Sequence, residues 1–440
     1  MAHAKQDRTR NAAGIWRPAV SAAALALTFF LCMTAASVAR AQSYHVLYNF
    51  TGGADGANPH VGVTLDNAGN IYGTAYGGGA GYGTAYKLAR HGSNWILSPL
   101  YSFKGNPAND GAGPDSSLVI SSNGVLYGTT IAGGPYTFCQ ILFGGYYGCG
   151  TVFTLRPPPT RPPTPTAPWV ENVIYRFTLE PDGAYPRNSI VFDSAGKLYG
   201  TGGNGGGNNG VYGVVWQLFP EGGGWSEVPV YVFTGNADGG KPQSGVVFGA
   251  DGNLYGTNSE YGTNEFGCCG SVFQIVRNGS GWTENTLYDF TDGNDGSAPY
   301  GGVIQDAAGN LYGTTTTDGA NGGGTVFELS PSNGGWTFET IYSFSGAAGQ
   351  QVGPYDNLVR DSAGNLYGTT YLDGRYGWGN VFKLSPSGGG WTYTSLHDFT
   401  GGSDGAAPRC RLVFDSNGNL YGTASSGGGI GYGVVFEITP

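Results

Sequence analysis

Charge is scarce in this 440-residue chain, at 11% of residues, and basic charge is scarcer, with 20 Lys+Arg against 30 Asp+Glu. Only 5 histidines and 6 cysteines occur, and no Cys/His set falls at a metal-ligand spacing. A single long apolar run is present, from about Ala19 to Val38. Each shortage excludes something. An acidic balance argues against nucleic acid and anionic membrane as partners. The missing Cys/His spacing removes a structural zinc site. The single apolar run leaves no second segment to cross a bilayer.

That run belongs to a leader. Lys5, Arg8, Arg10 and Arg17 precede it, and Ala39-Arg40-Ala41 follows with a small-x-small cleavage pattern, so residues 1–41 read as an export signal and Gln42 as the mature N-terminus. Cys32 follows Phe29-Phe30-Leu31 instead of small residues, so no lipid anchor is expected. The mature chain then holds 15 Lys+Arg against 29 Asp+Glu, a formal charge of −14. It is expected to be secreted or periplasmic, soluble, free of membrane insertion and monomeric. In an oxidising compartment Cys139 and Cys149 are expected to staple one loop. For Cys268, Cys269 and Cys410 the pairing stays open, an adjacent-residue disulfide being one choice.

What the chain has in plenty is glycine, 82 residues of it, placed between strand-like runs of Val, Leu, Tyr and Phe. Tyr-Gly-Thr recurs seven times, beginning at Tyr72, Tyr127, Tyr199, Tyr255, Tyr312, Tyr367 and Tyr421. Each repeat but the last shows four runs of strand character. In the sixth these are 357–361, 366–370, 380–384 and 391–399, with Ser385 to Gly390 read as the connection between the last two. The pattern predicts a four-stranded antiparallel meander per repeat. Such units bury their faces only by packing on one another, and a β-propeller is the common solution. The last repeat has three runs, while Leu47-Tyr48-Asn49-Phe50 matches the fourth run of other repeats, so the N-terminal strand is expected to complete the last blade. The fold class is therefore all-β: a seven-bladed propeller over 42–440, with insertions in the second blade at 131–150 and 156–168.

Framework roles follow from this layout. The Tyr-Gly-Thr glycine is expected to permit close approach between neighbouring blades. Trp95, Trp169, Trp225, Trp282, Trp336 and Trp391, opening the fourth strands, are read as blade packing, and His45, His91 and His397 as structural. The proline-rich segment 156–168 reads as a stiff spacer.

The combined pattern, Asp-Gly-x-x-Pro, Asp-Ser-x-Gly-Asn-Leu-Tyr-Gly-Thr-Thr, Gly-Thr-Val-Phe-x-Leu-Ser-Pro and Gly-Gly-Trp-Thr, resembles the GloVer tandem-repeat family of exported bacterial proteins, across essentially all of 42–440. The resemblance implies propeller-like repeats and an exported protein. It implies no activity and supplies no catalytic residues.

Where a framework recurs and one position varies among polar types, that position is free to serve a ligand. The residue after each linker proline is such a place: His60, Asp115, Arg187, Gln243, Tyr300, Tyr355 and Arg409. These are expected to line the mouth of the central channel, with Asn188, Asp356, Cys410 and Arg411 nearby. A catalytic alternative, eliminative or hydrolytic attack on an acidic polysaccharide, would use His60 as base with Asp115 or Asp356 to orient it, and Arg187 or Arg409 to hold a substrate carboxylate. Aromatic loops on the same face (Tyr76, Tyr82, Tyr146, Tyr147, Tyr261, Phe266, Tyr371, Tyr376 and Trp378) suit stacking on sugar rings. Tyr376 and Trp378 are the strongest candidates among them. The linker aspartates Asp55, Asp110, Asp182, Asp238, Asp295 and Asp404, replaced once by Gln350 or Gln351, could suggest calcium. Turn formation explains them better, and no cofactor or metal is expected. The leading expectation is a non-catalytic propeller binding a glycan or cell-surface polymer, ahead of the enzyme and of a protein-protein scaffold.

Overall fold

A computed structural model of the chain describes Met1 and residues 42–135, 139, 146–158, 169–207, 211–263, 268–279, 281–347 and 349–440. The leader at 2–41, the proline-rich segment from 159 to 168, and Tyr136, Phe138, Phe143 and Phe266 lie outside the described residues. Seven four-stranded antiparallel units follow one another around a ring, each a meander. The sixth runs Val359–Arg360, Leu366–Thr370, Asn380–Ser387 and Gly390–Asp398. Its second strand is buried along its whole length, as suits a central strand covered on both faces by neighbouring blades. Its fourth strand alternates exposed and half-buried residues, the signature of an edge with one wet face. The second and third blades each gain one short extra strand, Gly111–Pro114 and Ala184–Pro186.

The last blade pairs Val413–Phe414, Leu420–Ala424 and Val434–Thr439 with the N-terminal strand Ser43–Asn49. That strand carries the same irregularity as the fourth strand of other blades. Pairing jumps from Val46 to Tyr48 opposite consecutive residues, leaving Leu47 bulged, just as it jumps over Leu396 in the sixth blade. One connection is shorter than the sequence suggests. The third and fourth strands run on through Ser387 and from Gly390, so only Gly388-Gly389 turn the chain, at φ 53° and 97°. Both φ values are positive, which fits a tight hairpin of the primed type.

The three residues of Tyr-Gly-Thr do three different things, and the role expected for the glycine is corrected. Gly368 lies opposite Phe382 on its own blade, and a Cβ there would come 2.6 Å from the Phe382 ring. The glycine thus admits a ring from the facing strand of the same blade. The threonine makes the bond between blades. Thr74 donates to Ser116 O (3.2 Å), Thr129 to Pro186 O (3.3 Å), Thr201 to Ser244 O (2.6 Å) and Thr257 to Gly301 O (2.9 Å). Thr369 donates to Cys410 O (3.0 Å), and Thr423 closes the circle on Val61 O (2.9 Å). In the fifth blade Thr316, two residues beyond Thr314, reaches Pro354 O instead (2.7 Å). The tyrosine packs edge-on against the fourth-strand tryptophan of the next blade, as in Tyr72 with Trp169 and Tyr255 with Trp336.

Two blades put a polar ring where the others place phenylalanine: Tyr86 and Trp216, both fully buried. Neither the Tyr86 hydroxyl nor the Trp216 Nε1 has a hydrogen-bond partner among the described residues. A buried unmet hydroxyl costs about 1–3 kcal/mol. Tyr86→Phe is therefore expected to raise the unfolding free energy by about 1 kcal/mol. A denaturant titration showing a loss of stability would place an unseen partner on that hydroxyl.

Candidate functional site

The blade linkers and the loops between second and third strands share one face, since each linker pairs with its own blade's loop, Ala406 with Ser426 being one such bridge. On that face six of the seven linker prolines, all but Pro354, seat on the glycine that opens the preceding blade's third strand. A Cβ on Gly150 would lie 2.5 Å from Pro186 Cδ, and one on Gly433 2.6 Å from Pro59 Cδ. The proline fixes its own φ, and the seam threonines grip carbonyls directly before or after the next residue. The seven residues that follow the prolines are thereby aimed at one place. His60, Asp115, Arg187, Gln243, Tyr300, Tyr355 and Arg409 all line a single cavity of about 290 Å³, together with Val61, Asn188, Gln351 and Asp356. Because all seven linkers contribute, the cavity sits on the propeller axis. Cys410 is buried behind this wall, and Arg411 is exposed, its backbone N–H and its charge both acting on Asp356.

Asp115 is the electrostatic centre of one side. Its Oδ1 lies 3.7 Å from His60 Nδ1 and its Oδ2 3.5 Å from Arg187 Nη1. Burial alone would push its carboxyl up, but His60 and the Arg187 and Arg409 charges hold it below the usual carboxylate range. His60 stacks on Tyr76, with centroids 4.7 Å apart. Opposite, Asp356 has both oxygens occupied: Oδ1 accepts from Asn188 Nδ2 (3.0 Å) and Asn357 N (2.7 Å), Oδ2 from Arg411 N (2.7 Å). Burial raises the Asp356 carboxyl in spite of these donors. Tyr300 and Tyr355 stack 5.3 Å apart and are bridged by Gln351, which accepts from the Tyr355 hydroxyl and donates to that of Tyr300. Gln351 and Val61 escaped the sequence reading. The sixth linker lacks its Asp-Gly, and only that departure marked Gln351.

The profile of the Gloeobacter/Verrucomicrobia repeat matches residues 137–356 and 337–440. The chain belongs to that repeat family. No curated protein matches it. Among solved structures, the repeat protein is similar to an ulvan lyase of a polysaccharide lyase family (11% identity, TM-score 0.49, covering 87% of this chain and 93% of that one). It is also similar to a protein of unknown function from Dyadobacter fermentans (13%, TM-score 0.43, 90% and 98%). A gluconolactonase from Xanthomonas campestris gives 14% identity and a TM-score of 0.36, over 66% and 78%. At these values no activity is carried over from any of them.

Tyr376 and Trp378 of the repeat protein do not line the cavity. They stand on the same face, 51% and 47% exposed. Trp378 holds a framework position shared with Tyr82, Tyr212 and Tyr432, just before the glycine that opens the third strand. Its ring covers the linker glycine that follows its blade's fourth strand, where a Cβ on Gly401 would meet it at 2.7 Å. Arg375 lies over the Tyr376 ring at 5.5 Å. In the second and fourth blades the equivalent position is cysteine, and both cysteines are in disulfides: Cys139–Cys149, as expected, and Cys268–Cys269. Of the other loop aromatics, Tyr146 braces its neighbours by donating to Gly81 O (3.1 Å), Tyr261 packs on Tyr212, and Tyr147 is exposed.

The linker aspartates form a local lock. Asp182, Asp238 and Asp295 each accept from a tyrosine hydroxyl seven residues earlier and from the backbone and side chain of a threonine four residues earlier. At Asp404, His397 replaces the tyrosine at 3.1 Å, and burial lowers the His397 pKa in spite of that carboxylate. With these donors in place, the carboxylates serve the turn.

Proposed function

We propose that this repeat protein is an exported, non-catalytic, monomeric binding module that takes an extracellular glycan or cell-surface polymer on its linker face. The observation that carries this reading is the axial cavity itself. Seven positions equivalent by repeat, filled by five different residue types, converge on it while the framework around them repeats. Stacked tyrosines, amides and guanidinium groups suit a ligand with apolar faces and hydroxylated edges. Exposed Tyr376 and Trp378 offer an extension for a polymer beyond the cavity.

Support for binding over catalysis comes from His60. It is the one histidine among the residues that line the cavity, and it stands 3.7 Å from Asp115. Export is supported by the leader pattern and by the Cys139–Cys149 disulfide. Among the described residues no helix is long and apolar enough to cross a membrane.

The test is a glycan array on the intact protein. A hit should weaken at least about 10-fold in Gln243→Ala and in Tyr300→Ala, with a smaller loss in Trp378→Ala. Depletion of a polysaccharide by the wild type, abolished in a folded His60→Ala variant, would instead establish the enzyme. Inertness in both assays would point to a scaffold.

A further inference from the structure

The cavity's charged groups do not all pair off, and one side chain is left without a direct partner. Among the described residues Asp115 is matched by Arg187 and His60, and both oxygens of Asp356 are spent on an amide and two backbone N–H groups. Arg409 is left over. Its guanidinium lies 4.0 Å from the Tyr371 ring centroid and 4.9 Å from that of Tyr355. No carboxylate of the described residues pairs with it, and its buried Nε has no acceptor. Two aromatic faces hold a flat cation in place without neutralising it, so the group is ordered in advance and its charge is still available.

Two neighbouring atoms are also left unspent. The Tyr300 hydroxyl accepts from Gln351 and so keeps its own proton to donate. Gln243 Oε1 is buried without a donor among the described residues. Around one cavity the protein therefore offers a planar cation, a hydroxyl donor and an amide acceptor. The complement is a planar anion on a ring that also bears hydroxyls.

We propose that the cavity recognises a carboxylate-bearing sugar, a uronate unit, with its carboxylate on Arg409 and a ring hydroxyl donating to Gln243. This rests on the glycan reading given above and specifies its chemistry. A carboxylate fits better than a point-like anion because its two oxygens lie in one plane, as do the guanidinium N–H groups.

The experiment is calorimetry on the full chain with three probes. These are a trisaccharide containing one glucuronate, the same trisaccharide with that carboxylate reduced to the alcohol, and the reduced form sulfated at the same carbon. The wild type should bind the uronate form at least about 10-fold tighter than either of the others. In Arg409→Gln that preference should shrink to within about 2-fold while the reduced form keeps its affinity. Arg409→Lys, which keeps the charge but not the planar fork, should fall between. An unchanged melting temperature in both variants shows that the fold is intact. Equal wild-type affinity for the uronate and reduced forms would overturn the proposal and leave glycan binding standing. Equal affinity for the sulfated form would overturn the carboxylate assignment. Binding of none of the three would overturn this proposal, and a blank array beside it would remove the glycan reading as well.

Discussion

A chain that begins at Thr51 is expected not to fold to a monomer. Removing Ser43–Asn49 strips the fourth strand from the last blade and exposes the whole edge of Val434–Thr439, a template for pairing with other chains. The loss reaches both neighbouring blades. Tyr44 stacks on His397 of the sixth blade with centroids 3.7 Å apart, and Phe50, fully buried, meets Tyr86 of the first blade at 5.2 Å. Phe50→Ala alone should cost about 3–5 kcal/mol, the usual range for a buried phenylalanine. Size-exclusion chromatography of the truncated chain should show aggregate, and a synthetic peptide of residues 42–50 added during refolding should restore monomer. A truncated chain that stays monomeric and melts as the wild type does would mean that the ring closes by some other contact.

The second large effect is on pH. Glu171, Glu227 and Glu284 occupy equivalent positions in the fourth strands of three consecutive blades. Burial first, and then the preceding linker aspartate in the case of Glu171 and Glu227, pushes Glu171 up to about 7 and Glu227 up to about 8. Burial likewise raises Glu284 to about 7, with Thr286 opposing and Asp238 and Asp289 adding to the rise. A carboxyl raised in the folded state holds a proton that the unfolded chain has already released. Its stabilising share is therefore complete below the ordinary glutamate pKa of 4.5 and is lost as pH rises through 7 to 8. After allowance for solvent screening the loss is about 1 kcal/mol per site.

Asp66, Asp361 and Asp415 work the other way. Burial would raise them, but hydrogen bonds from Asn and Tyr side chains and from backbone N–H groups hold them low. Their share is lost as pH falls. Stability should thus peak in the mildly acidic range. The triple variant Glu171→Gln, Glu227→Gln, Glu284→Gln should melt at nearly the same temperature at pH 5.5 and 8.5, while the wild type drops by several degrees. An equal drop in both proteins would refute this assignment.

Much of the architecture was legible because a repeated residue reports on itself. Seven copies of Tyr-Gly-Thr set the number of blades, and the Leu47-Tyr48-Asn49-Phe50 match found the closing strand. The axial position of His60 through Arg409 was legible for the same reason, each standing one step beyond a repeated proline. What the repeat could not show is which way a side chain reaches. Gly368 and Thr369 are neighbours in sequence, yet one faces its own blade and the other the next, because successive residues of a strand point to opposite faces. Nor could Trp378 be recognised as a member of a set with Tyr82, Tyr212 and Tyr432. The loops before it differ in length, and only the shared glycine after it aligns them. That Arg409 has no direct carboxylate partner depends on which oxygens of Asp115 and Asp356 are already taken, which is a matter of geometry alone.

The threonine seam has one more consequence. Every one of its bonds ends on a main-chain carbonyl, an atom that all twenty residue types possess. The blades are joined without reference to the side chains that face the axis, so these can be exchanged one at a time while the joints stay as they are. In that sense the cavity is a seven-slot socket in a fixed mount. Descendants of this ring, natural or designed, can change what faces the axis without relearning how to close.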